Sequence, residues 1–279
     1  MTVKIVTDST SDITRALAEE LGVAVVPLTV IFGHETFLDR VDMTTDEFYR
    51  RLTRQEIYPT TTQPSPGAFA EVYKKLAAET NEILVIVISG KLSGTYQSAA
   101  SARDIAGVKA RIEVIDSTKT AMALGLLVIA AAKMAREGAP LKEIASAVRQ
   151  RIPNTHPIMA FDTLKYLAKG GRIGKAQGLV GSLLRVRPVL TMRDGEVAPL
   201  TRLRSLAATM DYLYNTVASL KSIEELAVEH ATTPDDADAL VERLGKIYPR
   251  ERIYRSTVSP VLGTYMGPNV LSVSYIEGK

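Results

Sequence analysis

The sequence predicts an α/β protein built as two lobes, and three observations carry that expectation. Through residues 3–152, short apolar runs alternate with helical stretches across short connections, the order of a mostly parallel sheet flanked by helices. From His156 the pattern changes. An Arg193-Asp194-Gly195 turn between Val189-Leu190-Thr191 and Val197-Ala198 reads as a hairpin, so the second α/β lobe is expected to hold a mixed sheet. The length of 279 residues also exceeds the common single-domain size of roughly 100–150 residues. The expected division is 1–153 and 154–279.

Val3 to Val6 is the first strand, followed by Asp8-Ser9-Thr10-Ser11-Asp12, whose oxygens suit a helix N-cap, and by a helix through Leu21. Val23 to Phe32 is strand-like, but Pro27 has no amide hydrogen and marks an edge, a bend or a break between two strands. Thr45-Asp46-Glu47 opens a helix through Leu52, and a Thr-rich loop leads to Pro64 and a helix through Ala78. Ile83 to Ile88 is a continuous apolar run, as expected for a parallel strand covered on both faces. The loop from Ser89 to Ser93 enters a helix to about Ile105, and Arg111 to Ile115 is the next strand. Ala121 to Ala132 is apolar all round yet shorter than the ~20 residues that span a bilayer, so a buried helix from about Lys119 is expected.

A helix over Pro140 to Ile152 closes the first lobe. In the second, a strand from His156 through Phe161, a helix to Gly170-Gly171 and another over Gly174 to Leu184 precede the hairpin. A long helix from Arg204 to Leu220, a strand from Leu226 to Glu229, a helix from Pro234 to Ile247, and strands over Arg252 to Thr257 and Leu271 to Tyr275 complete it.

Composition narrows the chemistry. Basic and acidic residues number 34 and 31, a net charge of +3, and the basic ones are dispersed, which argues against nucleic acid as a partner. With no Cys, disulfides, thiolate metal sites and Cys nucleophiles are excluded, and the cytoplasm is the default location. Met1 to Asp8 reaches an acidic residue too early for a signal peptide. The three His are isolated, and Asp8, Asp12, Asp39, Asp42 and Asp116 would have to converge from several turns to form an oxygen cage, so they are expected as caps or solvated loop residues and no metal or cofactor is expected.

Three separate segments place hydroxyl or glycine residues at turns: Thr60-Thr61-Thr62-Gln63-Pro64-Ser65, Lys91 to Ala99, and Lys169-Gly170-Gly171-Arg172-Ile173-Gly174. Neutral donors near helix starts suit a bound carboxylate or phosphate. Ser93 follows a buried strand and precedes a helix, the position of a hydrolase nucleophile, but Lys91 and Thr95 stand where an α/β-hydrolase elbow needs glycines. A helix cap and an anion-binding hydroxyl are its other readings. Gly170 to Lys175 lacks the spacing of a nucleotide loop and follows a helix, so a glycine C-cap explains it, while Arg172 sits in a tight turn where a guanidinium can meet a carboxylate or a partner. Arg202 and Arg204 alternate after the hairpin, a solvated pair or a docking feature.

Together with Asp8 to Asp12 and Leu167 to Ile173, these segments resemble, in order and spacing, the DegV family of fatty-acid-binding proteins, from Val3 to about Tyr275. The resemblance implies a two-lobe DegV-like fold enclosing one long-chain fatty acid, such as palmitate or oleate, between the lobes. The first lobe would belong to the fold group shared with dihydroxyacetone-kinase-like and mannose-transporter-like domains. By matching motif, Thr61 and Ser93 are the expected donors to the carboxylate, with Thr62 and Gly94 beside them and Arg172 near the mouth. Such proteins are similar to the acyl-carrier subunits that present a fatty acid to a separate ATP-dependent fatty acid kinase, without catalysis of their own. A monomer is the default, with transient membrane contact allowed. Tyr265 stands where the family commonly has His two residues before Gly-Pro, and it donates one hydrogen bond but carries no positive charge at neutral pH. The alternatives are a stand-alone lipid or ester hydrolase using Ser93, and a lipid binder that no longer serves a kinase.

Overall fold

The computed structural model describes residues 2–54, 57–179 and 186–278. Strand β1 (Lys4–Asp8) ends in a 3₁₀ turn, Ser9–Ser11, that Asp8 caps by accepting from the Thr10 amide. Helix α1 (Arg15–Leu21) has its own cap in Thr14, so the acidic cluster caps one turn and not the helix. Pro27 separates β2 (Val23–Val26) from β3 (Thr29–Phe32), and the break is complete: the two strands lie in different sheets. A short strand absent from the sequence reading, β4 (Glu35–Leu38), precedes α2 (Thr45–Arg54). The Thr-rich loop contains β5 (Thr60–Thr62), which pairs antiparallel with β3 and completes a small sheet of order β4-β3-β5.

Helix α3 (Pro66–Ala77) starts at the Ser65 cap, and β6 (Glu82–Val87), α4 (Thr95–Ala106), β7 (Arg111–Asp116), α5 (Ala121–Arg136) and α6 (Leu141–Arg151) follow. The main sheet of this part has the order β2-β1-β6-β7 and is parallel throughout. Its central strand is buried from Ile83 to Val87, which is why that stretch carries no alternation.

The later sheet takes β8 (Thr155–Ala160), β9 (Arg187–Arg193), β10 (Glu196–Leu203), β11 (Ile223–His230), β12 (Ile253–Thr257) and β13 (Leu271–Glu277) in the order β10-β9-β8-β13-β11-β12. It is mixed, with β11 and β12 parallel and the remaining pairs antiparallel. Asp194 and Gly195 both have positive φ, 55° and 80°, as a primed hairpin turn requires. Its helices are α7 (Lys165–Lys169), α8 (Leu206–Ala218), α9 (Pro234–Leu244) and α10 (Pro260–Met266). Two expectations change here. The helix expected over Gly174 to Leu184 is a 3₁₀ stretch at Gly174–Leu179, and its remainder lies outside the described residues. Helix α10 lies between the last two expected strands, where no element is expected.

Helix α5 joins the two halves. It is buried from Ala121 through Ala132 and packs on β1 and β6 on one side and on β8, β11 and β13 on the other. Gly125 permits the closest approach, since a β-carbon there would lie 2.5 Å from the Ser11 carbonyl oxygen. No helix among the described residues is long and apolar enough to cross a membrane.

Candidate functional site

The carboxyl ends of parallel strands leave a crevice where connections diverge, and ligands of open α/β sheets sit there. Asp8, at the end of β1, accepts from the Thr10 amide at 2.9 Å and from the Ile88 amide, just past β6, at 2.8 Å. That carboxyl is fully buried, and burial raises its pKa against the lowering effect of these donors. It fastens two strand ends beside a largely apolar cavity. The earlier sheets and α5 give one wall, with Thr10, Leu28, Thr61, Gln63, Ile88, Leu92, Ser93 and Thr120. The later sheet and its helices give the other: Met159, Phe161, Leu167, Arg172, Val197, Val261, Leu262, Tyr265 and Met266.

The polar groups form a connected rim. Thr61 is half-buried on β5 while Thr60 and Thr62 are exposed, the alternation of a strand. The Thr61 and Tyr265 hydroxyls share a hydrogen bond of 2.6 Å across 204 residues of sequence. Ser93 lies just before the α4 cap, Gly94, where its hydroxyl bonds that of Thr95 at 2.8 Å and accepts from the Thr95 amide at 3.3 Å. Ser93 is therefore not the α4 cap, which is Gly94 without a side-chain cap bond, and it lines the cavity.

The glycine pair closes α7 as a C-cap. Arg172 N donates to Leu167 O at 3.0 Å and Gly171 N to Ala168 O at 3.2 Å, with Gly171 at φ +71°, the Schellman pattern. This cap aims Arg172 back across the cavity. Its Nη1 donates to Gly170 O at 2.8 Å, its Nε to Leu92 O at 3.3 Å, and its guanidinium lies 4.9 Å from the Tyr265 ring centroid. Tyr265 thus supplies a neutral hydroxyl, and the neighbouring positive charge comes from Arg172.

Not every expected residue reaches the cavity. Thr62 is exposed and outside the wall, because strand alternation turns it away from Thr61. Gly94 is exposed and contributes by proximity: a β-carbon there would meet Gln63 Nε2 at 2.8 Å. Arg202 and Arg204 are exposed at the end of the edge strand β10 and away from the wall. Conversely, Thr10, Gln63 and Thr120 line the cavity without having been singled out as binding residues. Thr120 precedes α5, and its buried hydroxyl has no hydrogen-bond partner among the described residues. The polar residue opening a long apolar helix was its available signal. For α10, whose Val261, Leu262, Tyr265 and Met266 all line the wall, the signal was Ser259-Pro260, a cap position followed by Pro at N1.

Some acidic residues also differ from expectation. Asp8 is a cap as expected, though buried, whereas Asp12 and Asp39 are buried without being solvated loop residues, Asp12 paired with Arg40 at 3.2 Å. Burial holds Asp12 and Glu229 above the ordinary carboxylate range and pushes Asp39 up to about 7. Among the described residues no group of His, Asp and Glu could hold a metal ion. Among the described residues, His34, His156 and His230 are absent from the cavity wall, as are Asp and Glu.

Comparison with known proteins gives the family and the fold. The family model described as "Uncharacterised protein, DegV family" matches residues 2–278. A DegV domain-containing protein of Caldanaerobacter subterraneus subsp. tengcongensis is 38% identical over 279 residues, covering 99% of each chain. Among solved structures, a DegV family protein from Thermus thermophilus, described by its fatty acid binding, superimposes with a TM-score of 0.91 at 31% identity, covering 100% of both chains. DegV from Bacillus subtilis, described as a fatty acid binding protein, gives 0.89 at 27% identity, again covering 100% of both. The chain is therefore a member of the DegV family and has its mixed α/β fold.

Proposed function

We propose that the chain binds one long-chain fatty acid in this cavity, with residues 1–153 and 154–279 acting as the two lobes that enclose it. The supporting observation is an apolar cavity rimmed by Thr61, Ser93 and Tyr265 under the Arg172 cation. Enclosing a tail of about fifteen methylenes at ~0.8 kcal/mol each offers on the order of 10 kcal/mol before the costs of association. Hydrogen bonds to a charged head group contribute ~1.5–3 kcal/mol each. The tail sets affinity and the rim sets orientation.

The reading extends to presentation of the carboxylate to a separate ATP-dependent fatty acid kinase. Its support is the resemblance to acyl-carrier subunits, together with the exposed Arg202 and Arg204 near the β9–β10 hairpin as contacts for such a partner. The chain itself acts as a binding subunit. Ser93 has a hydroxyl, not a base, as its partner, which disfavours a hydrolase. Mass spectrometry of an organic extract from the purified protein, with the intact-complex mass, tests the binding: one fatty acid per chain is expected. An empty protein that also fails to take up palmitate or oleate overturns it. Acyl phosphate formation with the organism's own kinase, ATP and oleate tests the presentation, and none forming overturns that part alone.

A further inference from the structure

A second cavity lies against the opposite face of β8. Strand alternation sends Met159 into the first cavity and His156 and Ile158 into this one, which is partly open to solvent. The start of α5 is divided the same way, for Thr120 lines the first cavity and Lys119 the second.

Lys119 is the unusual residue. Only 7% of it is exposed, and its backbone is fixed: its amide donates to Ser117 Oγ at 3.0 Å and its carbonyl accepts from Ser89 N at 2.9 Å. Thr118 beside it has φ +54°, a left-handed conformation that sets the turn. The ammonium has no acidic partner among the described residues, and burial alone lowers its pKa. Lys133, by contrast, meets Glu225. An isolated buried cation is costly unless a counter-charge joins it.

The surroundings offer Lys119 no ion-pair partner among the described residues and are rich in donors. Arg193 lies on the wall, and His156 stands with its ring 5.4 Å from that of Tyr275. Thr118, Thr216, Tyr212 and Tyr275 add hydroxyls. The acid on the wall, Asp194, is already engaged by Lys175 Nζ at 2.6 Å, and Glu277 faces His156. A guanidinium and an ammonium with hydroxyl donors match a compact dianion, and a guanidinium fork suits phosphate oxygens.

We propose that the cavity bounded by Lys119, His156 and Arg193 is an anion site for the phosphate group of a small molecule. The site is independent of the fatty-acid reading, because its residues are separate from the head-group rim. The test is calorimetric titration of the full chain with inorganic phosphate and with phenyl phosphate, whose relative affinities separate the free ion from an organic monoester. Binding with Kd below ~1 mM is expected for at least one probe. Lys119→Met should weaken it by about tenfold or more, the loss of one charge-assisted bond. Arg193→Ala should weaken it as well, and Thr61→Ala with Ser93→Ala should leave it unchanged. Lys119→Met keeps the apolar stem and removes an unpaired charge, so its melting temperature in phosphate-free buffer should not fall; if it does, Arg193→Ala, at an exposed position, carries the test. No binding of either probe, or binding indifferent to the Lys119 and Arg193 changes, overturns the proposal.

Discussion

Gly170→Ala probes whether the cap of α7 and the cavity rim are mechanically one unit. A β-carbon at residue 170 falls 2.3 Å from Tyr265 Cδ1 and 2.7 Å from Cε1, well inside carbon–carbon contact. The backbone there has φ −79°, which alanine accepts without strain, so the effect is steric. The ring must swing away, and in doing so it forfeits its 2.6 Å bond to Thr61 and its place under Arg172. Those are ~1 kcal/mol for the hydrogen bond and ~0.5–1 kcal/mol for an exposed cation–π contact. Residual overpacking adds ~1 kcal/mol, the low end of its range because the ring is half-buried and has room to move. The expected destabilisation is ~2–3 kcal/mol, read from the urea midpoint, together with weaker oleate binding in a calorimetric titration. In a Tyr265→Ala background the obstacle is gone, and Gly170→Ala should then cost under ~0.5 kcal/mol, a coupling that a double-mutant cycle measures. Additive costs in the two backgrounds would refute the argument.

Asp39, pushed up to about 7 by burial against the pull of Arg40, starts from an ordinary value of 3.8. Because the folded value is the higher one, its stabilising contribution is full below about pH 4 and is lost as pH rises through 7, ~4 kcal/mol in all. Asp39→Asn should remove that part of the decline between pH 4 and 8 in urea midpoints, leaving the slope due to Asp8, Asp12 and Glu229; an unchanged slope contradicts it. Thr120→Val replaces an unpaired buried hydroxyl by an isostere and should raise the stability of the unliganded protein by ~1 kcal/mol, with a lower urea midpoint counting against that. Gly125→Ala gains ~1 kcal/mol of helix propensity but meets the Ser11 carbonyl at 2.5 Å. The clash at ~1–3 kcal/mol should win, and a melting temperature above the parent's would show that α5 can shift. Thr61→Ala with Ser93→Ala should weaken palmitate or oleate binding by about tenfold or more, from loss of two head-group bonds, while an unchanged isothermal titration would remove those residues from the rim.

Elements whose logic is local were legible. The buried run Ile83 to Val87, the Pro27 break, the all-apolar Ala121 to Ala132 helix and the Asp194-Gly195 turn each carry their cause within a few residues. Strand β5 was missed because three threonines pair with β3, a partner about 30 residues earlier, and nothing in Thr60-Thr61-Thr62 names that partner. Helix α10 was missed because Ser259-Pro260 and Gly267-Pro268 punctuate it like a loop and its length is only 7 residues. The burial of Asp12 and Asp39 was not legible because Asp is ordinarily exposed, and only packing brings Arg40 and the Ser259 amide to Asp12.

The sequence by itself determined the α/β class, the parallel first sheet, the mixed second sheet and the hydroxyl- and glycine-bearing loops, since periodicity and turn chemistry act over short stretches. The tertiary structure decided which of those loops meet. Thr61 is joined to Tyr265, Arg172 reaches the loop before Ser93, and Thr62 faces outward only because β5 pairs as it does. Lys119 and Thr120, neighbours in the chain, open into different cavities for the same reason. Side-chain convergence depends on strand register and on how closely α5 seats between two sheets, and these are properties of contacts between residues far apart in the chain.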